Sequence, residues 1–175
     1  KRSKISNKPG KKIEFHMPLK IVAIFDKPVN AEKGTISTTQ IQEFEKEGLL
    51  IMSSNVKRSY IALALSHLGS EVINRVMHKF EQATIYMGLI RSKSQAHLLN
   101  MFHSDPLVSY RFNRFDLSAI KDGLRKTTNV LIQAGAKELY LPIVGSERIE
   151  SLNDLELILN NLKPKQLDII TVHAM

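Results

Sequence analysis

Past residue 12 the chain alternates short apolar runs with segments of helical period, and glycine and proline mark the joints. Ile13–Met17 and Leu19–Phe25 are β-branched and aromatic runs on either side of Pro18. That layout predicts two strands or one broken edge strand, since proline cannot donate to a ladder. Pro28 to Gly34 is a turn-rich link. Thr39 and Gln42 stand at capping-box spacing, Ile41 and Phe44 share a helical face, and Gly48 closes the short helix they predict. Leu49–Ser53 reads as a strand. Tyr60, Leu63, Ala64 and Leu68 fit a helix ended by Gly69, and Ser70 caps a second one carrying Val72, Ile73, Val76, Met77 and Phe80.

The C-terminal half continues the pattern. Ala83–Ile90 reads as a buried strand, and Leu107–Phe112 alternates, with Val108, Tyr110 and Phe112 on one face. The longest helix has Asp116 as its predicted cap, an inward stripe of Leu117, Ile120, Leu124, Thr128 and Leu131, and a stop at Gly135. Glu138–Ile143 is a further strand. Ser151 and Asp154 open a helix that runs to Leu162 and breaks at Pro164, and the apolar run Leu167–Val172 leads into His173. Helices interspersed among strands without a regular βαβ unit predict an α+β fold with a mainly antiparallel sheet covered by helices. The expected divisions are a basic flexible arm (1–12), a main domain portion (13–162) and a return segment (163–175).

Charge changes this picture only at one end. The chain of 175 residues carries a net charge of +8, but Lys1, Arg2, Lys4, Lys8, Lys11 and Lys12 precede the first acid, Glu14, and leave +2 for the rest. A nucleic-acid-binding or anionic-surface module is therefore the alternative reading, resting on the arm alone. The arm lacks the interleaved aromatics that stack bases, so nucleic acid is not the expected partner. With no cysteine there is no disulfide framework or thiolate metal site. No apolar run approaches the ~20 residues of a membrane span. The start at Lys1 leads us to expect a piece of a longer chain; the compartment stays open, with a cytoplasmic or membrane-peripheral location expected.

Generic chemical motifs are sparse. The chain has no GxGxxG, phosphate loop or GxSxG elbow. The six histidines, at 16, 67, 78, 97, 103 and 173, form no HExxH, and no metal site is expected. His67 and His78 fall on predicted helices, where a structural role is expected.

Longer phrases carry more information. "LKIVAIFDKPVN" (19–30) and "KGTISTTQIQEFEKEGLLIMSS" (33–54) resemble the substrate-domain portion of glucose–methanol–choline (GMC) flavin oxidoreductases, closest in flavour to the long-chain or fatty alcohol oxidase and dehydrogenase branch. "VSYRFNRFDLSAIKDGLRKTTNVLIQAGAKELYLP" (108–142) continues the likeness, with Tyr110, Asp116, Gly123, Gly135 and Ala136 at matching positions. "TVHAM" (171–175) is similar to the start of the family's His-x-Met-Gly-Thr/Ser-Cys-Arg-Met-Gly segment. The glycine-rich flavin-binding segment and the rest of the terminal motif are not in this sequence.

The resemblance implies a fragment of an FAD-dependent enzyme that oxidises a primary alcohol, in this branch a long-chain one, to an aldehyde by hydride transfer. The fragment alone is expected to be inactive, with FAD held mainly by other parts of the chain. It implies His173 as the base: an imidazole titrating near neutrality can accept the hydroxyl proton as hydride leaves. Met52, Tyr86 and Met87 are the expected pocket liners, on the argument that a sheet over a flavin turns one face to an aliphatic substrate. The alcohol, the electron acceptor (oxygen or another) and the oligomeric state stay open at this point.

Overall fold

The computed structural model describes residues 13–99, 105, 107–146, 148–169 and the backbone of 173–174. The predicted basic arm lies outside them. Two long strands form the spine: β1 (Ile13–Phe25) and β4 (Ala83–Leu99) pair antiparallel from Ile24 opposite Ala83 to Ile13 opposite Ala96. A bulge between Glu14 and His16 bends the far end. Beyond β4 lie β3 (Leu49–Ser53) and the two-residue β2 (Gln40–Ile41). The short β5 (Leu107–Ser109) pairs with the distal end of β4. On its other edge β1 pairs with β6 (Ala136–Tyr140) near Phe25 and with β7 (His173–Ala174) near Phe15. The described sheet thus runs β2-β3-β4-β1-β6, with β5 against β4 and β7 against β1, and its strand pairings are antiparallel.

The first two strand predictions merge into one central strand, not an edge strand. Pro18 pairs with Leu89, and it falls between the segments of β1 that meet β7 (Phe15, His16) and β6 (from Val22 on). No described strand flanks that edge of β1 at Pro18, so the strand is locally an edge there and tolerates a residue without an N–H. The helix predicted after Thr39 does not form. Gln40 and Ile41 pair with Met52 and Ile51 instead, followed by a 3-10 turn at Glu45–Glu47. Ile41 and Phe44 are too few to anchor a helical face, and sheet pairing overrides the capping signal. Gly48 does terminate the turn, at φ 82°.

Alternation along β1 divides the core. Met17, Leu19, Ile21 and Ala23, with Leu49, Ile51 and Ile90, face α3 (Arg114–Gln133) and α4 (Leu152–Asn160). Val22 and Ile24, with Ala83 and Ile85, face α1 (Arg58–Ala64) and α2 (Ser70–His78) through Ile61, Leu65, Val76 and Phe80. Tyr60 and Leu63 are exposed, while Ile61, Ala64 and Leu65 are buried.

α3 lies close on the sheet. A Cβ on Gly88 would come within 2.7 Å of the Thr127 hydroxyl, and one on Gly123 within 2.6 Å of Ile90 Cδ1. The N-cap of α3 is Asn113 rather than Asp116. Asn113 accepts from the Asp116 N–H at 2.8 Å, and Asp116 completes the capping box from the third helical position. Leu107–Phe112 contributes only the three residues of β5 as strand.

Candidate functional site

The two faces of the sheet are finished differently. α1 and α2 cover only the Val22–Ile24 end of their face. Toward the other end, Leu50, Met52, Met87 and Leu89 belong to neither core cluster. Register places Met87 between Lys20 on β1 and Met52 on β3, and Leu89 between Pro18 and Leu50. Arg91 follows, opposite His16. Directly opposed residues of antiparallel strands share a face, so these side chains form one platform. Its outer rim is a cleft of about 410 Å³ lined by His16, Glu45, Gly48, Leu49, Leu50, Leu89 and Arg91. Arg91 reaches Glu14 at 3.8 Å.

Met52 and Met87, two of the predicted liners, are direct register partners here. Met52 is nearly buried, with the Ser37 hydroxyl 3.6 Å from its sulfur. Tyr86 does not join them. It is paired with Ile21 and Ser53 and packs, half-buried, against the core under α3 on the opposite face. His173 is the register partner of His16 across β1 and β7.

The segment leading to β7 is held firmly. Val144 N–H donates to the Gln166 carbonyl at 2.7 Å, Asp168 N–H donates to the Pro142 carbonyl at 3.0 Å, and Leu167 bridges Ile143. His67, nearly buried in the 3-10 turn after α1, adds a side-chain tie. Its Nε2 lies 2.9 Å from the Leu141 carbonyl and its Nδ1 2.9 Å from Asp168 Oδ2. The second contact is close but not aligned as a hydrogen bond. His67 thus links the turn after α1 to Leu141 and to Asp168.

Two polar networks brace the sheet itself. Asp116, 1% exposed, accepts the Lys93 N–H at 2.7 Å and the Ser92 hydroxyl at 3.2 Å, and Ser92 meets the Tyr110 hydroxyl at 2.7 Å. Burial alone would raise the Asp116 carboxyl. Hydrogen bonds from Ser94, the Lys93 and Asn113 N–H groups and Ser92 outweigh it and hold the carboxyl below its ordinary range. At the far end of the sheet the Tyr140 hydroxyl donates to Glu138 at 2.9 Å, and Lys79 and Arg148 pair with the same carboxylate. Burial and the Glu138 hydrogen bond push Tyr140 up to about 12. Asp116 and Lys93 also line a surface cleft with Arg91, Asp122 and Arg125, and Tyr140 and Arg148 line another with Arg75; within the sheet both networks act as fasteners.

Lys20 and His16 were the residues not singled out from sequence. The available signal was Lys20 as the one charge inside the otherwise apolar run Leu19–Phe25. Neither α3 nor α4 offers a dinucleotide cofactor's phosphates a free N-terminus. The N-termini of α3 and α4 are occupied by their own capping boxes, each with an aspartate at the third position, and no glycine-rich turn feeds either helix. Among the described residues no three His, Asp or Glu converge to hold a metal ion, and no helix is long and apolar enough to cross a membrane.

No family model matches the chain. It is 21% identical over 176 residues to an uncharacterised GMC-type oxidoreductase of Mycobacterium tuberculosis, covering 99% of this chain and 28% of that protein. It is 24% identical over 177 residues to an uncharacterised GMC-type oxidoreductase of Sinorhizobium fredii, covering 99% of this chain and 34% of that protein. The chain therefore spans about a third of the length of these curated relatives, and over nearly its whole extent it is a distant homologue of GMC-type oxidoreductases.

Proposed function

We propose that this chain is the substrate-binding portion of an FAD-dependent GMC-type oxidoreductase that oxidises a primary, long-chain alcohol to an aldehyde. Residues 13–162 supply the substrate platform, and 163–175 return toward the flavin carrying His173. The observation that supports the reading is that Met52 and Met87 share a sheet face with His16, whose register partner is His173, the base that the family resemblance implies. Thioether side chains adapt to an aliphatic chain and exclude water from it. His173 holds the hydroxyl and takes its proton. The flavin, held by protein outside these residues, is the hydride acceptor. Tyr86 is better assigned to the core than to the pocket, given its packing under α3.

The test has two arms. The 175-residue chain purified with excess FAD is expected to stay colourless, and a stoichiometric yellow complex would show that the cofactor is held here. In the protein expressed with its flanking coding sequence, His173→Asn is expected to slow anaerobic flavin reduction by a long-chain alcohol by about 10²–10⁴-fold, with the flavin spectrum unchanged. An unaltered rate would assign the base elsewhere.

A further inference from the structure

Lys20 is the feature of the platform that core packing does not explain. It stands between buried Pro18 and Val22 on the central strand, opposite Met87, with Met52 one strand further on. Among the described residues its ammonium makes no ion pair or hydrogen bond, whereas Lys79, Arg125, Lys126 and Arg148 each have a carboxylate partner. The acids at the rim do not serve it: Glu14 pairs with Arg91, and Glu45 lines the cleft beyond His16. Burial lowers its pKa, the sign of a cation that has lost hydration without compensation. A half-buried cation on an apolar platform is complementary to a ligand with an anionic head and an aliphatic body. A charge-assisted hydrogen bond would replace the lost water, and the methionines would cover the chain.

We propose that Lys20 anchors the carboxylate of an amphipathic substrate, a hydroxy acid whose aliphatic chain lies over Leu50, Met52, Met87 and Leu89. The hydroxyl end would lie toward His16 and His173. Lys20 and His16 are four residues apart on one strand, on the order of 13 Å, so an aliphatic spacer of that order separates the charged end from the reacting end. The inference deepens the oxidoreductase reading and rests on it for the hydroxyl.

The binding half is tested on the 175-residue chain itself, labelled at its methionine methyls for NMR and titrated with decanoate and with decanol. Decanoate is expected to shift the Met52 and Met87 signals saturably and to bind about tenfold tighter than decanol, with Met17 and Met77, packed in the two core layers, unmoved. Lys20→Met should remove the preference while leaving decanol binding, and Lys20→Arg should keep it. Equal binding of the two probes, or a preference that survives Lys20→Met, would overturn the proposal. Flavin reduction in the full oxidoreductase separates the two readings. Reduction by neutral alcohols as fast as by ω-hydroxy acids sinks the Lys20 anchor alone. Decanoate binding through Lys20 with no reduction by any alcohol sinks the oxidoreductase reading and leaves the anion site standing.

Discussion

Under α3 the sheet is finished as a core. Ile21, Ile51, Ile120 and Leu124 have essentially no exposure, and two glycines let helix and sheet approach until a single added carbon would collide. On the platform side the same strands carry half-buried leucine and methionine and one underhydrated lysine, beside a cleft rather than a helix. Both faces are built from one alternating sequence, so the difference is not one of propensity. The covered face maximises packing, while the platform forgoes some stabilisation in a way that suits adaptable contact with a ligand.

That contrast can be broken by experiment. The largest effect should come from Leu124→Ala, which empties a fully buried site and should cost about 2–5 kcal/mol in denaturant titration. Met87→Ala, on the platform, should cost about 1 kcal/mol or less by the same measurement, and equal losses would mean that the platform is packed like the core. Next comes Gly88→Val, whose added carbons meet Thr127 and Leu49, with an expected loss of roughly 1–3 kcal/mol. Lys20→Met should be smallest, within about 0.5 kcal/mol of the parent or slightly stabilising, because it removes a charge that burial disfavours.

Acid sharpens the comparison from the covered side. The Asp116 carboxyl is held below its unfolded value of 3.8, so the stability it contributes is present above that pH and is lost as pH falls through the lower folded value. Stability measured from pH 6 to pH 2 should therefore drop on the acid limb, and Asp116→Asn should flatten part of that drop while lowering the plateau. An acid limb unchanged in the variant would show that the carboxylates responsible lie elsewhere, with Glu138 the next candidate because Lys79 and Tyr140 hold it low against the upward push of burial.

Much of the fold was legible because it was written in local terms. Leu49–Ser53 emerges with the bounds its apolar run predicts, and the stripe Ile120, Leu124, Leu131 is the buried side of α3. Errors arose where a distant partner decided the outcome. Pro18 signals a break only if one does not know that an edge of β1 lacks a described partner there, and Thr39 to Gln42 signals a helix only until β3 captures Ile41. The pairing of Met52 with Met87 depends on register between residues 35 apart in sequence, which composition does not encode. Tyr86 lies on the other face for a local reason: adjacent to Met87 in sequence, it is turned away by the pleat.

The two-residue pairing of β7 with the start of β1 has a consequence in time. His16 and His173 are joined across nearly the whole chain, a separation that adds little to the equilibrium cost of closure, since that cost grows only logarithmically with loop length. Kinetically it forms after the spine can, because β1 and β4 can pair before residue 173 exists on a ribosome. Among the described residues the histidine position is tied to the sheet by a two-residue ladder, as β2 is. In amide hydrogen exchange, the β7 end should open far more readily than the Val22–Ile24 end of the same strand.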